Sequence, residues 1–256
     1  MRHRLKIQNF CFLALLLLWG APAKAQLSTK DSTRSAQLWA LCPGTVHPMG
    51  AVAQTYSTVA SADVEYLRKT REGIFYGVQF KALYGNAVKN ADSIFSGLTD
   101  GDGNFLGVNG EFANIQAGMS GGMLMVELGK LFAPKYNPNS GWLWIQGIGV
   151  AQHKIGLRDQ RGTLPQLQSP FIEGYDRLHL GGYTTSSLRY LHLDNNERVN
   201  WSINVNASLG VSRSIRGFNI DSGMADTNFK FDAFLGCSFQ WYIPIYQEQE
   251  SFYLVD

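Results

Sequence analysis

Four residues in one Gly-rich stretch have the types and spacing of a calcium-binding loop. Asp100, Asp102, Asn104 and Glu111 occupy positions 1, 3, 5 and 12 of the EF-hand pattern. Position 6 is Phe105, where the sharp turn of such a loop needs glycine, and no flanking helices are predicted. Gly, Asp and Asn are also the ordinary residues of tight turns. We therefore predict a turn here and keep calcium binding as an alternative.

A second group holds the residue types of a hydrolase. His153, Asp159, Ser169, Asp176 and His179 lie in or beside one predicted loop, and hydrolysis needs a nucleophile, a base and an orienting group. None of the five lies in a nucleophile motif such as G-x-S-x-G. We therefore expect no enzyme activity and no cofactor, with an enzyme at the rim of the fold as an alternative.

Charged residues on the polar faces of predicted strands form a third group. Lys81, Lys230 and Asp232 fall on these faces, together with Arg189 and Glu127. The interior of a small barrel is just wide enough for side chains to fill it, and an unpaired buried charge is very costly. We predict an interior plug of paired charges. A narrow polar pore is the alternative.

The elements that would position these groups are long strands with two different faces. From Val199 to Ser212 apolar and polar residues alternate without error over fourteen positions, which is typical of a strand with one apolar face. Membrane-crossing strands need roughly 9–11 residues, whereas strands of soluble proteins usually have about 5–6. The pattern predicts an all-β fold, a transmembrane up-and-down antiparallel β-barrel. A soluble lipocalin-type barrel, with its apolar face inward, is the structural alternative.

Eight strands are predicted, an even number as bacterial single-chain barrels require. A change of phase near Gly121-Gly122 suggests a bulge or a glycine-rich bend in the fourth strand. The predicted strands are 36–43, 55–69, 73–86, 115–131, 141–156, 175–192, 198–215 and 227–243.

The predicted connections alternate in length. Short ones occur at 70–72, 137–140 and 194–197, and long ones at 44–54, 87–114, 157–174 and 216–226. Short periplasmic turns opposite longer outer loops are typical of outer-membrane barrels, so both termini are predicted to be periplasmic. Trp142, Trp144, Trp201 and Trp241 all fall near the predicted periplasmic strand ends, as expected of rings at a membrane interface.

The first 25 residues have the features of a cleavable signal peptide. Basic residues precede the apolar run Phe10 to Trp19, and Ala23-Lys24-Ala25 supplies a cleavage pattern. This segment holds four of the 22 Lys and Arg and none of the 20 Asp and Glu, so the remaining chain has a net charge of −2. Nucleic-acid binding therefore has no compositional support. The predicted organisation is a signal peptide (1–25), a periplasmic N-terminal segment (26–35), an outer-membrane barrel (36–245) and a periplasmic C-terminal tail (246–256).

Two cysteines follow the signal, Cys42 and Cys237, on the first and last predicted strands. These strands are neighbours once a barrel closes, so a disulfide across the seam is possible in an oxidising envelope. Cys237 lies on the lipid-facing phase, where a free cysteine behaves as a small apolar residue. We predict two free thiols and keep the disulfide as an alternative.

Five strings along the chain are Asn137-Pro138-Asn139-Ser140-Gly141, His153-Lys154-Ile155, Pro165-Gln166-Leu167, Gly174-Tyr175-Asp176-Arg177-Leu178 and Trp241-Tyr242-Ile243-Pro244-Ile245-Tyr246. Together they resemble a family of outer-membrane β-barrel proteins of Bacteroidota with no assigned reaction or ligand. The chain departs from the family at 46–50, the predicted first outer loop, which lacks an expected charged stretch. The resemblance implies the barrel fold without a function, and it draws attention to Tyr175, Asp176 and Arg177 as a loop-ordering hydrogen-bonded cluster or a docking surface.

The functional hypothesis is a small barrel with a plugged polar interior that is a structural or partner-binding component of the envelope. Its predicted partners are outer-membrane lipid and another protein of the envelope or of a secretion complex, bound through the loops or the periplasmic ends. A narrow small-solute channel and a rim enzyme that cleaves lipid or peptide are the alternatives.

Overall fold

The computed structural model describes residues 33–246, apart from 87, 101, 103, 108, 109, 114, 136, 160–163, 168–170, 195–198 and 221. The predicted signal peptide and the chain after 246 lie outside the described residues. In chain order the strands are β1 (Ala36–Gly50), β2 (Val59–Lys69), β3 (Ile74–Tyr84), β4 (Phe105–Leu106), β5 (Phe112–Ala113), β6 (Ile115–Phe132), β7 (Gly141–Asp159), β8 (His179–Leu193), β9 (Asn200–Ser214), β10 (Phe218–Asn219), β11 (Met224–Ala225) and β12 (Phe229–Tyr246).

Eight of these strands form one closed antiparallel barrel in the order β1-β12-β9-β8-β7-β6-β3-β2. Each barrel strand pairs with its neighbours along the chain, and β1 closes the ring against β12 with Ala36 opposite Tyr246. The predicted eight-stranded up-and-down topology is therefore confirmed. The strands β4–β5 and β10–β11 form two small hairpins outside the barrel.

The connections lie at two ends, which we call the turn end and the loop end. Three connections at the turn end span residues 70–73, 133–140 and 194–199. Four at the loop end are named L1 (51–58), L2 (85–114), L3 (160–178) and L4 (215–228). The helix α1 (Ala91–Ile94) lies in L2, and 3-10 turns lie at Val52–Gln54, Ser96–Leu98, Pro165–Leu167 and Phe171–Gly174. Among the described residues, none of the helices has the length and apolar character needed to cross a bilayer.

The outer wall of the barrel is an apolar belt. On β9 the outward residues from Trp201 to Val211 are apolar, and Arg213 is the first outward charge beyond them. Ten residue steps of a strand rise about 33 Å, which is about 25 Å along the barrel axis at the usual tilt of about 40°. That height matches the apolar band of a membrane-spanning barrel. A lipocalin-type arrangement is excluded because the apolar faces of the strands point outward.

Aromatic side chains ring the turn end of the belt. The predicted four tryptophans lie there, and β1 adds a fifth, Trp39, whose ring is 4.8 Å from that of Tyr66. Tyr190 links two of the others, with ring centroids 5.5 Å from Trp142 and 6.1 Å from Trp201. Such rings with one polar edge concentrate at membrane interfaces, so this girdle marks one edge of the bilayer.

The first strand is longer than predicted. The predicted strand ended at Pro43 and was followed by a long connection at 44–54. In the structure β1 continues to Gly50, so residues 44–50 are strand and L1 is short. Pro43 keeps its register position opposite Ala62 of β2, while the β1–β12 ladder is interrupted at Cys42 and Pro43.

No bulge occurs at Gly121-Gly122. The register of β6 runs in step with β3 and with β7 through both glycines. The apparent change of phase arises because Met119, Met123 and Met125 face inward near the loop end. An apolar interior there reverses the polar-in pattern without any change in backbone geometry.

Candidate functional site

The lumen is filled in layers, and its two ends are apolar. The turn-end plug joins inward residues of the strands, and its largest members are Leu38, Phe75 and Tyr242. The loop-end plug joins strand residues to side chains of L1 and L2, so these loops pack into the mouth of the barrel. Its loop members are Val52, Tyr56, Ile94 and Phe95, packed on Leu83, Met119, Met123, Tyr183 and Phe234 among others. The filling is therefore partly apolar, whereas the sequence predicted a plug of paired charges.

The charge layer between the plugs is centred on Arg189, whose side chain is 0% exposed. Its Nη1 donates to Glu65 Oε2 at 2.7 Å and to Tyr242 Oη at 3.3 Å. Its Nη2 lies 3.5 Å from Glu127 Oε1. Beside this group Lys81 Nζ is 3.4 Å from Asp63 Oδ2, which also accepts from Gln79. Two cations thus face three carboxylates in a space closed at both ends.

Five interior charges were named from the sequence, and the structure places all of them inside the wall. Arg189 and Glu127 meet in the charge layer, and Lys81 lies beside them. Asp232 and Lys230 lie nearer the loop end, in a separate cluster. The inward carboxylates Asp63 and Glu65 of β2 were missed. Their two-residue spacing puts both on one strand face, and Lys81 opposite Asp63 is the signal that could have found them.

The second polar cluster, under L3 and L4, surrounds Asp232. Its Oδ2 accepts from Tyr183 at 2.8 Å and from Ser212 at 2.5 Å, and His153 Nε2 is 3.4 Å away. His153 stacks on His179 with ring centroids 5.2 Å apart. The cluster ties β7, β8, β9 and β12 together at the loop end.

Lys230 joins this cluster to L4. Its Nζ donates to Asp226 Oδ2 at 2.7 Å and to His179 Nε2 at 3.1 Å. His179 Nδ1 donates in turn to the carbonyl of Arg177 at 2.7 Å. Burial acts to raise the pKa of Asp226, but the hydrogen bond and charge of Lys230 outweigh it and hold that pKa below its ordinary value.

These groups are not arranged for hydrolysis. Ser212 donates to a carboxylate and not to an imidazole, so neither histidine activates it. One G-x-S-x-G string does occur, Gly118-Met119-Ser120-Gly121-Gly122, but it lies within β6 and not at a strand-to-helix elbow. Ser169 and the side chain of Asp159, which completed the predicted hydrolase set, lie outside the described part of the chain.

Asp176 is the centre of a cluster that fastens L3 to L4, which we call the L3–L4 platform (171–178 and 215–226). Its buried carboxylate accepts from Arg216 twice, from Nη2 at 2.9 Å and Nε at 3.2 Å. Arg216 Nη1 also donates to Glu173 Oε2 at 2.7 Å. These hydrogen bonds to Asp176 raise the pKa of the guanidinium above its ordinary value. Two-point Arg–carboxylate contacts fix geometry as well as adding energy.

Backbone contacts hold the platform rigidly. Ile220 N donates to Gly174 O at 3.2 Å, and Ile155 N donates to Asp176 O at 2.7 Å. Ile220 packs closely on Gly174, since a Cβ there would lie 2.0 Å from Ile220 Cδ1 and the Ile220 side chain would have to move to admit it. The two loops therefore form one unit seated on the barrel.

The residues Tyr175, Asp176 and Arg177 were predicted as a cluster. Tyr175 packs on the loop-end plug, and Arg177 has a left-handed φ of 44°, which is uncommon for a residue other than glycine. The arginine that holds Asp176 from both sides is Arg216, forty residues away in L4. Arg216 could not be predicted as the partner of Asp176, because no motif or spacing in the sequence links L3 to L4.

The platform carries apolar side chains that point away from the protein. Phe171 is 64% exposed and Met224 is 66% exposed, although neither belongs to the lipid-facing belt. Phe218 and Ile220 on L4 are about half exposed. Exposed apolar groups on a rigid, polar-rimmed support are typical of an interaction site.

Two further predictions concern the Gly-rich loop and the cysteines. Asp100 Oδ1 accepts from the backbone N–H groups of Asp102 at 3.0 Å and Asn104 at 2.8 Å, as in an ordinary turn. Among the described residues, no three His, Cys, Asp or Glu side chains are grouped to hold a metal.

Both cysteines are free as predicted, Cys42 buried in the turn-end plug and Cys237 exposed on the outer wall.

The fold is similar to the solved structures of several outer-membrane proteins. The attachment invasion locus protein Ail of Yersinia pestis, solved in complex with the heparin analogue sucrose octasulfate, is 8% identical with a TM-score of 0.43, covering 82% of this chain and 99% of Ail. OprG of Pseudomonas aeruginosa is 9% identical with a TM-score of 0.36, covering 83% and 97%. Neisserial surface protein A is 7% identical with a TM-score of 0.35, covering 80% and 96%. No family model and no curated protein matches the chain, so the resemblance to the Bacteroidota family stays a prediction.

Proposed function

We propose that this protein is a non-conducting outer-membrane barrel that binds another envelope protein through the L3–L4 platform. The observation that carries the proposal is the set of exposed apolar side chains on two loops cross-linked by Arg216. A rigid support lowers the entropic cost of binding, and a few apolar anchors supply most of the affinity of an interface. In this proposal the loop end faces outward, both chain ends are periplasmic, and no reaction is catalysed.

The filling of the lumen supports the non-conducting part of the proposal. A solute would have to pass the loop-end plug, the ion-paired layer around Arg189 and the turn-end plug in turn. Transfer of a hydrated ion through an apolar layer is very unfavourable. The barrel then acts as a scaffold that displays its loops.

A narrow small-solute channel remains the second candidate, on one observation. Several polar atoms of the charge layer have no partner within the described part of the chain, including Asp63 Oδ1, Glu65 Oε1 and Glu127 Oε2. Buried groups of this kind are usually satisfied by water. A channel would require both apolar plugs to open onto that water.

Crosslinking in native membranes tests the binding proposal. We expect a discrete partner to co-purify with the wild-type protein after mild crosslinking. The variant Phe171→Ser/Met224→Ser should bind it at least about thirtyfold more weakly and recover correspondingly less, since each lost anchor costs about 1–2 kcal/mol. Phe112→Ser removes an equally exposed ring from L2 and is the matched control. Equal recovery with all three proteins would contradict the assignment of the platform.

Conductance of the purified protein in planar bilayers separates the two candidates. The plugged barrel should give no steady current, because both ends of its lumen are apolar. A stable open-pore current from the wild-type protein would favour the channel and overturn the non-conducting part of the proposal.

A further inference from the structure

A furrow of about 410 Å³ crosses the outer wall of the barrel near the loop end. It lies over β3, β6, β7 and β8, and apolar side chains of the belt border it toward the membrane centre. These are Phe80, Leu124 and Val150, all about half exposed, whereas the equally exposed Leu180 borders the furrow nearer the loop end, opposite Arg213. The furrow therefore extends from the belt toward the loop end.

Small residues create the furrow. Gly122 faces outward on β6 between Ala82 of β3 and Gln152 of β7. A Cβ on Gly122 would meet its nearest atom at 3.6 Å, and a Cβ on Gly182 of β8 would meet nothing within 4 Å. A side chain would therefore fit at both positions. Because both residues are glycine, the wall is open here and the furrow forms.

Cations lie at the loop end of the furrow. Lys154 lines it on β7, one outward position beyond Gln152, and its side chain is 46% exposed. On β9, Arg213 is opposite Leu180 of β8 and holds its guanidinium 5.7 Å from the Phe229 ring centroid. The two cations therefore flank the outer end of β8, at the height where the apolar belt ends.

The described anions near these cations do not neutralise them. Within the described residues Lys154 pairs with Asp176, at 3.9 Å, and that carboxylate is already held by two hydrogen bonds from Arg216. Among the described ion pairs Arg213 has no carboxylate partner. The furrow is bordered by apolar side chains and has two cations at its loop end whose charge is not neutralised. It is therefore complementary to a molecule with a hydrocarbon chain at one end and a negative charge at the other.

We propose that this furrow binds an anionic, phosphate-bearing lipid of the surrounding bilayer. Its acyl chain would lie over Gly122 between Phe80 and Leu180, and its phosphate would contact Lys154 and Arg213. Basic residues at the membrane surface attract anionic lipid headgroups by about 1 kcal/mol each. The site rests on the proposed membrane location but is independent of partner binding by the platform.

A second copy of this chain fits the furrow less well. A two-fold contact centred on it would bring the two copies of Lys154 together. The hydroxyl of Thr184 on the same wall also needs no partner protein, because its Oγ1 donates to Gly147 O at 3.1 Å. Charge complementarity therefore favours lipid.

Amide NMR spectra of the full barrel in zwitterionic micelles test the proposal, with phosphatidylglycerol as the titrant. We expect saturable shifts at Gly122, Gln152 and Leu180, and apparent affinity about fivefold weaker in Lys154→Gln, as the loss of one headgroup contact implies. Lys135→Gln removes an exposed lysine from the turn at 133–140 and should leave the affinity unchanged.

A second variant tests the slot itself. Gly122→Leu fills the depression and should abolish the shifts at Gln152 and Leu180. Ala207→Leu adds the same bulk to the outer face of β9 and should not. Retained heat-modifiable migration on gels establishes that each variant is folded, so a loss of shifts reports binding.

Three results would overturn the proposal. Equal shifts of the same amides with phosphatidylcholine and with phosphatidylglycerol would show that the headgroup charge makes no contact. Full shifts with inorganic phosphate alone would make this an ion site. Shifts that depend on protein concentration without added lipid would assign the furrow to a second copy of the chain. None of these results bears on crosslinking through the platform, so the two proposals fail separately.

Discussion

Removal of the Arg189 charge tests whether the charge layer is shielded from water. Arg189→Met keeps the length of the side chain but leaves Glu65 and Glu127 without the guanidinium that contacts both. It also deprives Tyr242 of a hydrogen bond at 3.3 Å. The perturbation is therefore the loss of one partner from a fully buried ionic group.

The expected cost follows from that burial. Breaking a buried ion pair from one side costs about 3–5 kcal/mol, because the remaining charge stays in the interior. We expect Arg189→Met to lower the free energy of unfolding by about 4 kcal/mol. The triple variant Glu65→Met/Glu127→Met/Arg189→Met removes all three charges and should lie within about 1 kcal/mol of wild type, since an apolar replacement leaves no charge stranded.

Urea unfolding in lipid vesicles, followed by tryptophan fluorescence, provides the measurement. The girdle tryptophans move from the membrane interface into water on unfolding, so their emission reports the state of the barrel. Arg68→Met, which removes an exposed arginine from the outer face of β2, is the matched control. If Arg189→Met costs no more than Arg68→Met, the charge layer is hydrated and the reasoning for a plugged lumen fails.

Three other predictions follow from single features of the fold. Gly77→Ala should destabilise the barrel by about 1–3 kcal/mol in the same assay, because its Cβ would lie 1.8 Å from a carbonyl oxygen of β2. Gly182→Ala is the control and should be near neutral, because no atom lies within 4 Å of the added Cβ. The pKa of Asp226 is lowered in the folded protein, so its stabilisation of L4 is complete above the ordinary carboxyl pKa of about 3.9 and is lost as the pH falls through the lower folded pKa. An NMR titration of the Asp226 carboxyl carbon with a midpoint above the ordinary pKa would contradict this prediction. N-ethylmaleimide should modify Cys237 in folded micellar protein about tenfold faster than Cys42, and peptide mapping that shows equal rates would refute the inside–outside assignment.

The barrel could be predicted from the sequence because its physics is local. The strand β9 is visible as an alternation of apolar and polar residues along the chain. The short and long connections are the intervals between such alternating segments. The prediction of β1 ended at Pro43, whereas the strand continues to Gly50, because a strand that retains one of its two ladders can tolerate the missing N–H of a proline. Met119 and Met123 misled the prediction of β6, because the polarity of the interior depends on what the loops insert into it.

The candidate site could be predicted only in part, because its contacts join distant segments. Asp176 was identified from its own string, but its partner Arg216 lies in another loop and has no periodic or spacing signal. Gly121-Gly122 predicted a bulge or bend in the backbone, and not a furrow. The shape of the furrow depends on the side chains of β3, β7 and β8 beside Gly122, and the sequence of one strand does not show them.

The pairing of β1 with β12 has a consequence for assembly. Ala36 lies opposite Tyr246, so the closing contact joins residues more than 200 positions apart, and it cannot form until almost the whole barrel has been made. Contacts of such high sequence separation form slowly, and until they do two strand edges stay open to other chains. The interrupted ladder at Cys42 and Pro43 leaves fewer hydrogen bonds in this seam than in an unbroken pair. The seam between the first and last strands is thus where the barrel closes last and where a destabilised barrel would open first.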